Sequence, residues 1–177
     1  MSIKINSIAP KLAKYQTVVD KRLVRGRAVT SPFRLYKMKQ AGITQVIDLR
    51  GSSYVKRPIE KFFCKMFGIK YNNLKYPLAA NVVPEHTFFE NVNNAIVNNN
   101  GKTYMHCGSG KKRTSVCVAV YEKSHTLKTD GQIISNVLKT GFEELNHGKH
   151  GPKRDKLLHI FKDLAKKYFP DHFNQYK

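Results

Sequence analysis

This sequence lacks tryptophan and has few acidic side chains for its number of basic ones. It contains no tryptophan, and its 177 residues include 12 Asp or Glu against 32 Lys or Arg, for a formal net charge of +20 at pH 7. Such an excess favours encounter with polyanions such as nucleic acid, phosphorylated metabolites or anionic lipid. A lysine-rich surface without a binding role explains the same numbers, so charge alone selects no function.

Cysteines and long apolar runs are also scarce. The three cysteines, Cys64, Cys107 and Cys117, form neither an even set nor a CxxC pair, which argues against a disulfide framework and a zinc site. No stretch approaches the ~18 apolar residues of a membrane-spanning helix, and the first residues lack the apolar segment of a secretory signal. We therefore expect a soluble protein of the reducing cytoplasm, with contact at a membrane surface left open.

The length and composition suit one compact domain. A chain of 177 residues with 41% hydrophobic residues can bury a single core. Residues 1–14 have the composition of a basic arm, and residues 15–177 are predicted to form the domain. No internal repeat or low-complexity linker interrupts it.

Helix and strand patterns alternate through the first two thirds of the domain. Pro32 and Gly42 mark the start and stop of a helix before the apolar strand 43–49, and similar helix–strand pairs cover 57–76 and 84–107. This alternation predicts an α/β fold with a central, mostly parallel sheet flanked by helices. In such sheets, binding is expected at the carboxyl ends of the strands.

Two further segments complete the predicted fold. Residues 23–29, LVRGRAV, are expected to be extended with a turn, and the C-terminal third is expected to be wholly helical. Thr129 and Gln132 match a capping box at a helix start. A later helical stripe, which we interpret as core, consists of Leu157, Phe161, Leu164 and Tyr168.

A cysteine stands at the base of a basic loop in the segment YMHCGSGKKRTSV, residues 104–116. The loop joins the predicted strand 102–107 to a helix expected from Arg113 onward. A thiol is a good nucleophile only as thiolate, and its pKa of about 8.5 falls to roughly 3.5–7.5 near cations or a helix N-terminus. Cys107 would have both, and lysines are unusual neighbours for a structural thiol. We therefore interpret Cys107 as a nucleophile.

The residues after Cys107 suit the binding of a phosphate. Successive backbone amides from Gly108 to Arg113 can curl into an anion-binding nest, in which Gly108 and Gly110 are free to adopt unusual backbone angles. The planar guanidinium of Arg113 matches two phosphate oxygens in a way that lysine cannot reproduce.

The loop HCGSGKKRTS resembles the HCxxGxxR[ST] signature of the cysteine-dependent protein tyrosine and dual-specificity phosphatases. The segments LVRGRAV and GITQVIDLRG are similar to the beginning of the small dual-specificity phosphatases, so the resemblance covers roughly residues 15–125. It implies a protein-tyrosine-phosphatase-like fold and a domain of the dual-specificity type. The positions that match the signature are His106, Cys107, Gly110, Arg113 and Thr114.

The resemblance also implies roles for these residues. Cys107 would form a phosphocysteine, Arg113 would hold the equatorial oxygens, and the hydroxyl of Thr114 would ease loss of the thiolate during hydrolysis. His106 would orient the cysteine. No metal and no other cofactor is required. The residues grouped as substrate-binding are His106, Gly108, Ser109, Gly110, Lys111 and Lys112.

One element of the family pattern is missing. The family places an aspartate general acid in a loop before the signature, but here the corresponding positions are Ala79, Ala80 and Asn81. Glu85 is the nearest carboxylate, and a first-turn position in the next helix explains it more simply. Without an acid, the substrate would be a phosphoanhydride, whose departing phosphate needs little protonation.

Several functions remain open at this stage. The basic loop resembles those of atypical dual-specificity phosphatases that hydrolyse inositol pyrophosphates and of phosphoinositide phosphatases, which favours a polyanionic phosphorylated substrate, ahead of a phosphoprotein. The alternatives are a pseudophosphatase that binds phosphorylated ligands without turnover and an RNA 5′-triphosphatase. Nucleic acid in any other role has no support beyond charge. Cys117 and Cys64 are interpreted as core, although some such phosphatases protect the nucleophile by a disulfide to a second cysteine.

Overall fold

The chain folds around a five-stranded sheet. The computed structural model describes residues 16–51, 57–77, 83–142 and 152–173, so the arm predicted for residues 1–14 lies outside the described part. The spatial order of the strands is β1-β2-β5-β3-β4. Their bounds are β1 Thr17–Val18, β2 Leu23–Arg27, β3 Ile43–Asp48, β4 Lys70–Asn73 and β5 Lys102–Cys107.

The sheet is mostly parallel, as the sequence predicts. β2 pairs with β5, β5 with β3 and β3 with β4 in parallel, whereas the two-residue β1 is antiparallel to β2. Parallel neighbours need crossover connections, and helices lie between them along the chain. The helices are α1 Pro32–Gln40, α2 Arg57–Met66, α3 His86–Val97, α4 Lys112–His125, α5 Asp130–Gly141, α6 Pro152–Tyr168 and α7 Pro170–Phe173.

Two apolar clusters cover the two faces of the sheet. Successive side chains of a strand point to opposite faces, and in β5 Tyr104 joins the cluster under α1 and α2, while Met105 joins the cluster under α3 to α6. In β3, Val46 joins the cluster that contains Tyr104, and Ile47 joins the cluster that contains Met105. The fold is therefore a three-layer α/β arrangement, which confirms the predicted fold class.

The predicted helix limits are close to those observed. α1 begins at Pro32, and Gly42 follows it with a positive φ of 85°. The segment 23–29 differs more, because its first five residues form β2, a strand inside the sheet. Four residues of β2 in succession are buried, and burial on both faces removes the alternation by which a strand is recognised in sequence.

The C-terminal third is helical in its described residues. The capping box of α5 is confirmed, since Gln132 N donates to Thr129 Oγ1 at 3.3 Å and Thr129 N donates to Gln132 Oε1 at 2.9 Å. Phe161 and Leu164 of α6 are buried in the core, as predicted. Among the described helices, none has the length and apolar character needed to cross a membrane.

Removal of this cap tests its contribution to stability. We expect Thr129→Ala to lower the free energy of unfolding by about 1 kcal/mol, because the amide of Gln132 loses its acceptor. For a chain of this size such a loss corresponds to roughly 2–4 °C in Tm. Thermal and urea denaturation measure both quantities, with Thr129→Ser as the control that keeps the hydroxyl. Equal stability of the alanine and serine variants would contradict the assigned cap.

Candidate active site

The signature loop begins at the carboxyl end of β5 and ends at the first turn of α4. Cys107 is the last residue of β5, and α4 begins at Lys112, one residue before the predicted start. Parallel pairing brings Arg27 of β2 level with Cys107, and Asp48 of β3 level with His106. The loop therefore lies at the edge of the sheet where the sequence predicts binding.

β2 holds the outer side of the loop through the loop carbonyls. Ala28 N donates to the carbonyl of Gly108 at 3.2 Å. Arg25 Nη2 donates to the carbonyls of Gly110 at 2.8 Å and Lys111 at 3.4 Å. A trans peptide directs its N–H opposite to its C=O, so the amides that follow these carbonyls face away from β2. This orientation is compatible with the predicted anion-binding nest, which stays a prediction.

Gly110 is required by its backbone angle and by its neighbour. Its φ is 75°, and a Cβ built there would lie 2.2 Å from the carbonyl oxygen of Gly26. Gly26 is equally confined, because a Cβ on it would lie 2.1 Å from the hydroxyl oxygen of Tyr104. Gly108, the other glycine predicted to need an unusual angle, has no positive φ. The close approach of Gly26 and Gly110 therefore brings β2 and the loop into direct contact.

Arg25 is the residue at this site that the sequence analysis missed. Its side chain is 7% exposed and also donates to Ser115 Oγ at 2.6 Å and to Thr140 Oγ1 at 3.0 Å. Burial lowers the pKa of the guanidinium, and the proximity of Cys107 and Glu122 opposes that shift. The signal in the sequence was an arginine directly after the apolar pair Leu23 and Val24 in an extended segment.

His106 belongs to a buried network of charged groups between the sheet and α2. Arg50 donates to Asp48 Oδ1 from Nε at 2.8 Å and to Glu60 Oε2 from Nη2. His106 Nε2 lies 3.2 Å from Glu60 Oε1, and the hydroxyl of Tyr71 donates to Asp48 Oδ2. Asp48, Arg50, Glu60 and His106 are each at most 1% exposed. The buried charges of Asp48, Arg50 and Glu60 therefore each have a partner of opposite sign, whereas His106 Nε2 makes no hydrogen bond within the described residues.

This network could be mistaken for a metal site. One ligand atom each from Asp48, Glu60 and His106 lies within 4.8 Å of the others. The guanidinium of Arg50 already pairs with both carboxylates, so a cation of the chain itself engages the two acidic groups. The hydrogen bond from Arg50 is the main favourable influence that holds the pKa of Asp48 below its usual value, against the opposing effect of burial.

His106 is held against the backbone of Cys107. Its Nδ1 lies 2.9 Å from the carbonyl oxygen of Cys107, which suits the orienting role implied by the resemblance. The whole side chain is 0% exposed, so it forms no part of the surface of the loop. The grouping of His106 with the substrate-binding residues stays a prediction.

The other signature residues surround the start of α4. Arg113 is half-buried in the first turn, and Ser109 is exposed at the tip of the loop. Lys111 and Lys112 are half-buried where the loop joins the helix. The hydroxyl of Thr114 is buried and has no hydrogen-bond partner within the described part of the chain. A buried hydroxyl without a hydrogen-bond partner is costly in a protein core. The resemblance assigns this hydroxyl a role in the loss of the Cys107 thiolate.

The other two cysteines are core residues, as predicted. Cys117 is fully buried in α4, and burial raises the pKa of its thiol well above the usual value. Cys64 is buried in α2, in the cluster on the other face of the sheet from Cys107. Burial, together with Glu60 and Asp48, raises the pKa of Cys64 to about 12. All three cysteines are free thiols.

Two stretches bear on the search for a general acid. Ala79, Ala80 and Asn81, which occupy the positions of the expected aspartate, lie outside the described part. Glu85 is exposed at the N-cap of α3, and its side chain makes no capping hydrogen bond. Glu85 therefore lies one residue before the first turn in which it was expected.

Comparison with known proteins gives matches in structure and none in sequence. No protein-family model and no curated protein matches the chain. A DUF442 protein from Shewanella putrefaciens CN-32 is 18% identical, with a TM-score of 0.64 over 88% of this chain and 91% of that chain. The core catalytic domain of the PP-IP phosphatase SIW14 from S. cerevisiae is 14% identical, with a TM-score of 0.61 over 92% of this chain and 94% of that chain.

PTPMT1 is a third similar structure, 17% identical with a TM-score of 0.59 over 90% of this chain and 99% of that chain. Identities this low establish a shared fold and leave the activity to be argued from the site. The resemblance predicted from the signature loop is confirmed at that level: the chain has the protein-tyrosine-phosphatase-like fold.

Proposed function

We propose that the protein is a cysteine-dependent phosphatase. The observation that carries the proposal is the loop geometry, in which Cys107 ends a strand, Arg113 lies in the first turn of the next helix, and β2 holds the loop carbonyls outward. Amides and a guanidinium around one thiol supply what phosphoryl transfer needs, namely a positioned nucleophile and stabilisation of the charge on the equatorial oxygens.

The reaction would proceed in two displacements at phosphorus. The Cys107 thiolate attacks, a sulfur–phosphorus bond forms, and the bond to the leaving oxygen breaks with its electron pair. Water then attacks the phosphocysteine, giving inorganic phosphate and restoring the thiolate, while the water proton passes to solvent. The unpartnered hydroxyl of Thr114 is available to donate to the departing sulfur in this second step. Arg113 would hold two phosphate oxygens in both steps.

A polyanionic substrate is supported by charge and by the comparisons. The chain carries a formal net charge of +20, and Lys111 and Lys112 lie in the loop itself. Among proteins of the same fold, SIW14 is a PP-IP phosphatase and PTPMT1 has been crystallised in complex with PI(5)P. We propose an inositol pyrophosphate, inositol phosphate or phosphoinositide, ahead of a phosphoprotein.

The nature of the leaving group follows from the missing acid. No carboxylate occupies positions 78–82 of the sequence, so the departing oxygen would receive little help from a proton donor. A phosphoanhydride releases phosphate, a stable anion, and depends less on such help than an alkyl ester does. The same absence is the one observation that favours a pseudophosphatase, which would bind phosphate without turnover.

The first experiment compares wild type with Cys107→Ser for phosphate release. The panel contains p-nitrophenyl phosphate, a phosphotyrosine peptide, phosphoinositides, inositol pyrophosphates and 5′-triphosphorylated RNA. We expect release by wild type, fastest from the anhydride substrates, and none by the variant, because the serine hydroxyl is a far weaker nucleophile than a thiolate. Binding of inorganic phosphate should survive in Cys107→Ser, since the amides and Arg113 remain.

Other outcomes of the panel have definite meanings. Turnover that persists in Cys107→Ser would contradict the mechanism. Phosphate binding by wild type without release from any substrate would identify a pseudophosphatase. Preference for the triphosphorylated RNA would assign the alternative 5′-triphosphatase activity.

Arg25 is expected to position the loop without contacting the substrate. In Arg25→Gln the loop carbonyls lose a charged donor, a loss of about 1.5–3 kcal/mol, so kcat/KM should fall about tenfold to hundredfold. Steady-state kinetics on the best substrate of the panel measure the change. Arg34→Gln, which removes an exposed arginine of α1, is the control for the loss of charge. A lower Tm with unchanged kcat/KM would reduce Arg25 to a purely structural residue.

Selective alkylation tests which of the three thiols is reactive. At pH 7, iodoacetamide should modify Cys107 and leave Cys64 and Cys117 intact, because burial keeps the latter two thiols protonated. Inorganic phosphate should slow the reaction by occupying the loop. Peptide mass spectrometry locates the label, and denatured protein, in which all three cysteines react, is the control. Faster labelling of Cys64 than of Cys107 would contradict the assignment of the nucleophile.

A further inference from the structure

Two helices on one side of the molecule expose large apolar side chains. Phe33 and Tyr36 of α1 are 64% and 47% exposed, and Ile59, Phe62 and Met66 of α2 are 47%, 62% and 54% exposed. We call these five residues the α1–α2 surface. Elsewhere in the described chain, exposed large hydrophobic residues are isolated on separate elements, at Val18, Val97 and Leu127. Scattered exposure is ordinary, whereas a cluster marks an interaction site.

Ring contacts make this surface continuous from one helix to the other. Tyr36 of α1 lies 5.8 Å from Phe67, which follows α2, and Phe67 stacks at 6.5 Å on Phe63. Phe63 in turn meets Phe62 edge-on at 5.4 Å. Beside Phe62 a shallow groove opens between α2 and β4, with the side chains of Lys61 and Lys65 along it.

The charges around this surface have one sign. The exposed charged residues of the two helices are Arg34, Lys37, Lys39, Lys61 and Lys65. Their one acidic residue, Glu60, is buried and paired with Arg50. Every acidic residue of the described chain that is not buried belongs to other elements, namely Asp20, Glu85, Glu90, Asp130, Asp155, Asp163 and Asp171.

We propose that the α1–α2 surface docks on an anionic lipid bilayer. Aromatic and aliphatic side chains surrounded by lysines are suited to the boundary between headgroups and acyl chains, where apolar burial and attraction to anionic lipid add together. Four of the five exposed cations are lysines, whose mobile ammonium groups match a diffuse negative surface better than the fixed carboxylates of a protein partner.

Docking in this orientation would bring the candidate active site close to the lipid. α1 follows the carboxyl end of β2, and α2 follows that of β3, so both helices begin at the edge of the sheet that carries Cys107. Phe33 and Ile59, in the first turns of the two helices, are therefore the members of the surface nearest that edge. A substrate headgroup in the same membrane would lie near the loop, but the docking itself requires no catalysis.

Vesicle binding tests the proposal independently of phosphatase activity. The protein carries Cys107→Ser, and the probes are phosphatidylcholine vesicles alone and vesicles of phosphatidylcholine and phosphatidylserine in equal parts. We expect cosedimentation with the second kind and release from it at high salt, because the electrostatic part is screened. Phe62→Ser combined with Met66→Ser should weaken binding about tenfold or more through lost apolar burial.

Matched variants separate the surface from general basicity. Lys61→Gln combined with Lys65→Gln should weaken binding about tenfold or more, since each lysine near the membrane contributes about fivefold. Lys139→Gln combined with Lys166→Gln makes the same change of charge on α5 and α6 and should have little effect.

Leu127→Ser is a second control for the apolar contribution. It removes an apolar side chain that is fully exposed away from α1 and α2 and should not affect binding. No binding to the phosphatidylserine vesicles would overturn the proposal, whatever the phosphatase assays show. Equal losses in the Lys139–Lys166 variant and the Lys61–Lys65 variant would also overturn it, because adsorption would then depend on net charge alone. Phe33→Ser on α1 repeats the apolar test if the double variant of α2 does not fold.

Discussion

The contact between β2 and the signature loop is the constraint on which the candidate site depends. A Cβ on Gly110 would meet the carbonyl oxygen of Gly26, and a Cβ on Gly26 would meet the hydroxyl of Tyr104, so neither position has room for a side chain. Arg25 and Ala28, on either side of Gly26 in sequence, bind carbonyls of the loop. Because these carbonyls are held from outside, the amides of the same peptides face inward. Without this support the peptide dipoles of the loop would be free to rotate. Part of the binding free energy of an anion would then be lost in ordering them.

A second network fixes the strand that carries the cysteine. Asp48 of β3, Glu60 of α2 and His106 of β5 meet around the guanidinium of Arg50. Buried ion pairs do little for net stability, but removal of one partner strands the other charge in the core. The network therefore links two features of the fold. The register between β3 and β5 depends on the packing of α2, and the packing of α2 depends on that register. His106 connects it to the carbonyl of Cys107, so the position of Cys107 depends on a correctly packed α2.

Much of the fold and the centre of the site could be predicted from local patterns. Helix stops such as Gly42, the capping box at Thr129 and the strand before Cys107 depend on neighbours within a few residues. The roles of Arg25 and Glu60 could not be predicted in this way. Each acts on residues far away in sequence, Arg25 on the loop and Glu60 on His106. A buried arginine in a strand and a buried glutamate on a helix have no local pattern that names their partners, and only the packed sheet brings them together.

The pairing of β2 with β5 has a consequence for the order in which the candidate site is assembled. Leu23 pairs with Thr103 and Arg27 with Cys107, so most of the domain must be synthesised and its first crossovers closed before these strands can meet. Contacts of such high contact order form slowly, because the entropy of a long loop is lost before the contact compensates for it. We therefore expect partly folded chains to lack the support that β2 gives to the loop after Cys107. The sheet and the candidate site would then be completed in the same late step of folding.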